Sequence, residues 1–378
     1  MTNRLQPLDA LRGFIIVAMA LDHANLFIAH QHSSGEFWGG PFPTYTSNLG
    51  FLTRFATHVA APGFFFLMGA GMLLFTLSRR EKGWSAWRIA GHFLLRGSIL
   101  IALQFLLENR AWALSLSNAP AYPPGQPSGP NFTYYGVLYA LGGAMILGIL
   151  LLHLKPRRLL EITLILAIGL ELLIPEPAMV REAFPQIARL LLIPGFSGDI
   201  LVYYPILPWM KLLAFGMLFA YWLRDDAKRA YRLGLRLGII FLALFMVLRL
   251  AGGFGNLQAA PGNGWADLLN VVKYPPSLTF SLLTMGINLI ILYAFYRLYE
   301  ARQKWLSPLM VFGRVPLFFY IAHLFLYAGI GLWIGPGGTS LPEMYPYWLL
   351  GLLFLLPLSW LYGRARRSKA GNLVLRFL

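Results

Sequence analysis

Three histidines, an aspartate and several arginines stand in stretches apolar enough to lie in a lipid bilayer. Asp22 and His23 sit well inside the first apolar run. His23 is 11 residues beyond Arg12, which is about 16 Å of helix rise. His58 follows Thr53, Arg54 and Thr57 in the second run. His323 is nine residues beyond Arg314, or about 14 Å deeper. The three histidines therefore fall at similar depth on three different helices. A single buried histidine most often hydrogen-bonds a neighbouring helix. Three at one level, with a carboxylate beside them, point instead to proton transfer. Imidazole titrates near neutrality and suits general-base work on a hydroxyl or amine. Adjacent helical residues point about 100° apart, so Asp22 is expected to orient a histidine on another helix, such as His58, rather than His23. No His-x-x-x-His pair occurs, cysteine is absent, and His30 and His32 fall in a loop, so no metal is expected.

These residues need elements to hold them, and composition says which. The chain has 378 residues, 57% hydrophobic and 12% charged, with a mean hydropathy of +0.60. A soluble protein carries about a quarter charged residues, so a cytosolic enzyme and a disordered scaffold are both excluded. Spans of roughly 20 apolar residues are predicted at about 10–29, 51–78, 89–107, 133–154, 159–175, 204–223, 233–253, 277–297, 307–334 and 346–363. The expected fold is therefore all-α, a polytopic membrane protein of about ten helices forming one domain over 1–378. Pro62, Pro205, Pro208 and Pro316 predict kinks within spans.

Short basic loops alternate with longer ones rich in Pro, Gly and aromatic residues. Of the 31 Lys and Arg, 20 fall on the basic side, four opposite (Arg110, Arg181, Arg189 and Lys273) and seven inside spans. The basic side includes Arg4, Lys369 and Arg376. The alternation places both termini in the cytoplasm and accounts for most of the net charge of +16. Nucleic acid is not needed to explain that charge. Among the seven, Arg236 and Arg249 lie near span ends and are expected to snorkel. Arg12, Arg96 and Arg314 fall in the cytoplasmic half, Arg54 and Lys211 in the outer half. A cationic set opening to the cytoplasm suits an anionic, phosphate-bearing ligand.

The run Leu8-Asp9-Ala10-Leu11-Arg12-Gly13 followed by His23 resembles the Arg-x10-His signature of acyltransferase-3 proteins. A wider pattern resembles the bacterial relatives of heparan-alpha-glucosaminide N-acetyltransferase. Its blocks are Met19 to Ala24, Thr53 to Gly69, Tyr204-Pro205-Ile206-Leu207-Pro208-Trp209, Lys273-Tyr274-Pro275-Pro276-Ser277-Leu278, and Gly313 to His323. They span residues 8 to 323 in consistent order. The chain departs from the lysosomal enzyme at His23, where that enzyme has asparagine, so its acceptor is not inherited.

The resemblance implies a transmembrane acyltransferase of the bacterial inner membrane. It would take an acyl group, typically acetyl, from cytoplasmic acetyl-CoA and deliver it to a sugar amine or hydroxyl outside. Under that reading Arg12, Arg96 and Arg314, with His323 nearby, hold the CoA end. His23 acts as general base or carries the acyl group, while Asp22, His58 and Arg54 orient the base and stabilise the oxyanion. Tyr204, Trp209, Lys211, Tyr274 and Ser277, with Arg54, line the acceptor entrance. The expected partners are acyl-CoA, a saccharide and the bilayer; a homodimer stays open. The alternative is a proton-coupled transporter using the buried His and Asp, although no half-repeat is evident.

Overall fold

The computed structural model describes residues 5–32, 35–116, 133–177, 185–197 and 199–368; Arg4, Arg181, Lys369 and Arg376 lie outside them. Fifteen α-helices follow in order: α1 (Gln6–Ala24), α2 (Asn48–Thr57), α3 (Ala60–Glu81), α4 (Ala86–Leu103), α5 (Asn109–Leu116), α6 (Val137–Gly148), α7 (Pro156–Leu173), α8 (Gln186–Leu191), α9 (Leu207–Asp225), α10 (Ala227–Ala251), α11 (Trp265–Leu269), α12 (Leu278–Arg302), α13 (Ser307–Arg314), α14 (Pro316–Ile334) and α15 (Leu341–Ser368). Every predicted span falls largely on one helix or on two consecutive helices, although the span at 133–154 begins on a short strand. Among the described residues, seven helical stretches are long and apolar enough to cross a membrane. They are Gln6–Ala29, Asn48–Glu81, Ala86–Leu114, Ala227–Ala251, Leu278–Arg314, Pro316–Ile334 and Leu341–Ser368. The stretch Val137–Leu151, α7 and α9 are helical but shorter or more polar. The protein is an all-α, polytopic membrane protein.

Proline sets the interruptions. Pro62 has no N–H to return to the carbonyl of His58, and the second span breaks there, between α2 and α3. Pro316 pushes Val315 out of helical geometry, to φ −131° and ψ 51°, and splits α13 from α14. Two π-helical turns extend the inner helices: Asn25–Ala29 after α1 and Gln104–Glu108 between α4 and α5. Such turns carry one extra residue and shift the register of the side chains around them.

Exposure is inverted, as a bilayer requires. Leu164, Ile165, Ile168 and Leu172 on α7, Ile239, Ile240 and Val247 on α10, and Leu350, Leu353 and Phe354 on α15 are exposed rows of apolar side chains. The interior helices α1, α3 and α9 are buried along most of their length. Arg54, Glu36, Glu108, His323 and Lys211 are all buried among them.

The two kinds of loop each keep to their own company. Trp38 Nε1 donates to the Pro175 carbonyl, Gln258 to Gly40 and Asn270 to Pro43. Three short strands, β1 (Thr133–Tyr135), β2 (Gly195–Ser197) and β3 (Ile200–Val202), add a small sheet in the order β1-β3-β2. The β1–β3 pair is parallel and the β2–β3 pair antiparallel, with Tyr134 and Phe196 both opposite Leu201. The hydropathy pattern gave no sign of this sheet, because its strands are only three residues long. Among the basic loops, Arg80 reaches His153, and Arg224 pairs with Glu81 at 3.2 Å.

Arg249 does not snorkel. Its guanidinium donates to the carbonyls of Leu268, Gln258, Asp267 and Asn270 and to Asn256 Oδ1. It fastens the cation-poor loop before α12, which carries Lys273 and Tyr274. Arg236, by contrast, is exposed on α10.

Candidate active site

The first half of the site is assembled where α1 meets α13. A Cβ at Gly13 would lie 1.9 Å from the Leu309 carbonyl oxygen, and one at Gly313 would lie 1.9 Å from that of Asp9. Only glycine permits this backbone approach. It brings Arg12 and Arg314 to one carboxylate: Asp9 lies 3.0 Å from Arg12 Nη1 and 3.8 Å from Arg314 Nε. Gly313→Ala is therefore expected to destabilise the protein by about 1–3 kcal/mol or more and to displace both arginines, read as a lower melting temperature in detergent.

Arg96 from α4 and Arg366 from α15 join them around a cavity of about 390 Å³. Its walls are mainly apolar, including Phe64, Met68, Met72, Leu100 and Leu141. Arg12 and Arg314 share Asp9, but Arg96 and Arg366 have no acidic partner among the described residues, and Arg12 and Arg366 both repel Arg96. Guanidinium groups gathered in this way suit an anionic ligand.

The second half is a smaller cavity of about 50 Å³ lined by Asp22, His23, Leu26, His32, Glu108, Trp112, Tyr134, Val137, Tyr203, Tyr204, Tyr274 and Tyr320. Val137 and Tyr320 line both cavities, so the two abut at those side chains.

His23 is held by His323. Its Nδ1 lies 2.7 Å from His323 Nε2, while His323 Nδ1 lies 2.8 Å from the Phe319 carbonyl oxygen. A carbonyl only accepts, so His323 Nδ1 carries the proton and, in the neutral ring, Nε2 accepts. His23 Nδ1 must then donate, which leaves the lone pair on His23 Nε2. The rings stack at 5.0 Å between centroids, and Trp112 packs edge-on against His23 at 5.6 Å. His323 lines neither cavity and acts through His23.

Arg54 is the hub of a buried ion network. It donates from Nη1 to Asp22 Oδ1 at 2.6 Å and to His32 Nε2 at 2.8 Å, and from Nε and Nη2 to the two oxygens of Glu36 at 2.8 and 2.6 Å. Thr57 adds a second bond to Asp22 Oδ1, at 2.7 Å. Burial pushes the Glu36 carboxyl upward, but the Arg54 guanidinium overrides it and holds the group well below its usual 4.5. Lys273, buried beside this network, is pushed down to about 8 by loss of water and then by Arg54.

His58 faces Glu36 Oε1 at 3.3 Å and does not meet Asp22. Asp22 is taken by Arg54 and Thr57, and Glu36 reaches His58 from a loop the hydropathy pattern leaves unread. Arg54 and His58 line neither cavity. Tyr204 and Tyr274 line the smaller one, their hydroxyls 3.2 Å apart. Trp209 is sandwiched behind them between Tyr204 and Phe65. Lys211 donates to the Pro276 carbonyl at 2.7 Å, and Ser277 caps α12 by accepting from Phe280 N. These three support the cavity wall without lining it.

Sequence reasoning passed over Glu36, Glu108, Trp112, Tyr134, Tyr203 and Arg366. The rarity of carboxylates was an available signal: with only 15 Asp and Glu in the chain, an acid next to an apolar span merits a partner search.

A membrane bundle that joins a cation-lined cavity to an oriented histidine has the layout of a membrane-embedded group-transfer enzyme. The model of one family, described as heparan-alpha-glucosaminide N-acetyltransferase, catalytic, matches residues 4–249, more than half of the chain. The chain belongs to that family and is a membrane acetyltransferase. A search of curated proteins finds no match. The matched stretch holds Arg12, His23, Arg54, Arg96 and Glu108, while Arg314, Tyr320, His323 and Arg366 follow it.

Proposed function

We propose that the protein moves an acetyl group from acetyl-CoA, bound in the arginine-lined cavity, to an amine or hydroxyl of a saccharide held in the smaller cavity. The observation that carries this reading is the contact between the two cavities at Val137 and Tyr320, with His23 beside it. In the proposed setting the chain crosses a bacterial inner membrane ten times with both termini in the cytoplasm. The basic loops then face the cytoplasm, which puts the arginine cavity on the side where CoA is found.

The residues divide the work. Arg96 and Arg366, without acidic partners among the described residues, hold phosphate oxygens together with Arg12 and Arg314. The apolar wall suits the pantetheine arm. The thioester supplies an activated carbonyl. His23 Nε2 takes the proton of the attacking N–H or O–H as the new bond forms, then returns it to the departing thiolate. The Tyr320 hydroxyl faces the Glu108 carboxyl and borders both cavities. It is placed to donate to the carbonyl oxygen as negative charge develops there. Arg54 keeps Asp22 in place, and His323 keeps His23 in the tautomer whose free lone pair is on Nε2.

Donor binding tests the first half of this account. Arg96→Ala and Arg366→Ala are each expected to weaken acetyl-CoA binding by roughly tenfold or more, since a hydrogen bond to a charged group is worth about 1.5–3 kcal/mol. Arg157→Ala, at the exposed first turn of α7, should leave it unchanged. Calorimetric titration of the purified protein decides; equal affinities in all three variants would contradict the assignment.

A further inference from the structure

Three carboxylates belong to the inner site, and they are not treated alike. Asp22 and Glu36 are both ion-paired to Arg54. Glu108 is only 1% exposed, lines the small cavity, and has no cationic partner among the described residues. Its Oε1 accepts from Trp112 Nε1 at 3.3 Å, the Tyr320 hydroxyl faces the carboxyl, and Oε2 makes no hydrogen bond of full geometry among the described residues.

The surroundings are built for this side chain. Glu108 ends the π-helical turn Gln104–Glu108, a local widening that turns it inward. A Cβ at position 136 would lie 2.5 Å from Glu108 Oε1, so Gly136 leaves the room the carboxyl occupies. Gln104, on the same turn, donates to the Tyr134 carbonyl and accepts from Tyr139 N, which ties the turn to β1 and α6. Trp112 touches both Glu108 and His23. The titratable groups facing Glu108 are Tyr134 and Tyr320 and, across the cavity, Asp22, His23 and His32; no lysine or arginine lines that cavity.

One base is enough to acylate a hydroxyl. An amine that arrives as an ammonium ion must lose two protons, the first before it has a lone pair with which to attack. We propose that Glu108 is a second proton acceptor of this site, taking the first proton from an ammonium acceptor so that His23 can take the second. The assignment rests on the acetyl-transfer reading above. The ammonium gives H⁺ to Glu108 Oε2, leaving a neutral amine and a neutral carboxylic acid. The amine nitrogen then bonds to the thioester carbon, and His23 Nε2 takes the second proton. The C–S bond breaks, and the thiolate takes that proton back as CoA thiol. Glu108 releases its proton to the outer solvent before the next turnover, so each cycle yields an amide, a thiol and one H⁺. A protonated Glu108 also removes a negative charge that would oppose the oxyanion beside Tyr320.

The test compares two acceptors at pH 7 on the same sugar, one a primary amine that is an ammonium ion and one an aminooxy group that is uncharged. Glu108→Gln keeps the shape of the side chain and is expected to lower kcat/KM for the ammonium acceptor about 100-fold, within the usual range for proton transfer by a side chain. The loss on the aminooxy acceptor should be at least tenfold smaller. Glu108→Asp, which keeps the carboxylate, should recover part of the ammonium activity. Equal losses on both acceptors, no loss on either, or an E108D variant no better than E108Q would overturn the assignment. Wild-type protein inactive on both acceptors would overturn the acetyl-transfer reading itself. Calorimetric titration with acetyl-CoA, unchanged in E108Q, separates lost chemistry from lost folding.

Discussion

His23→Ala is expected to lower the rate of acetyl transfer by about 10³-fold and to leave acetyl-CoA binding intact. General-base catalysis contributes roughly 10²–10⁴-fold, and His23 Nε2 is the one imidazole nitrogen at the junction whose lone pair its hydrogen-bond partners leave free. The arginines lie in the neighbouring cavity, so removing the base should not disturb them. The expected signature is a fall in kcat with the donor dissociation constant unchanged. His323→Phe should give a smaller loss of the same kind, because it removes the bond that fixes the His23 tautomer and leaves His23 in place. The assay is transfer of labelled acetyl from acetyl-CoA to a verified acceptor in detergent. A His23→Ala enzyme as fast as wild type would remove His23 from the mechanism.

Arg54→Met is expected to produce the largest loss of stability. Arg54 is 1% exposed and bonds Asp22, Glu36 and His32. Removing one partner of a buried pair leaves uncompensated charge and costs about 3–5 kcal/mol; here two carboxylates lose their counter-charge. Arg54→Lys should rescue little, since an ammonium cannot grip both Glu36 oxygens while reaching Asp22. The network also has a pH signature. The Glu36 carboxyl is held below 4.5 in the folded protein, so its stabilisation is complete above that pH and is lost as pH falls through the folded value. Melting temperatures in detergent across pH 3–7 would show it. A wild-type melting temperature in Arg54→Met would mean that the network contributes nothing to the fold.

The helices were legible in the sequence because a bilayer leaves few alternatives: backbone groups must be satisfied within each segment, and apolar runs of the right length then mark the spans. Arg12 and Arg314 were legible too, each being a cation where a cation is costly. Equal depth put His23 and His323 at one level, but their direct contact was not legible, and His323 was expected at the CoA end. Which acid meets which base did not. Asp22 was expected to face His58, yet Arg54 and Thr57 hold it, and His58 is met by Glu36 from a loop. Loop backbone is not fixed by periodicity, so the way residues 35–47 pack into the bundle leaves no mark in hydropathy. Glu108 was hidden by its position at the edge of a predicted span, and its inward turn depends on a π-helical register. Arg366 was concealed among the basic residues of the last helix, where topology alone accounts for a positive charge.

In the proposed reaction an acetyl group passes from the arginine-lined cavity at the basic end of the bundle to an acceptor at the opposite end. The direct measurement uses sealed proteoliposomes with acetyl-CoA labelled in its acetyl group outside and an acceptor, verified in detergent, trapped inside. Label is expected in the trapped acceptor, made by molecules whose basic end faces outward, and none with His23→Ala. Label confined to acceptor supplied on the same side as acetyl-CoA would contradict it.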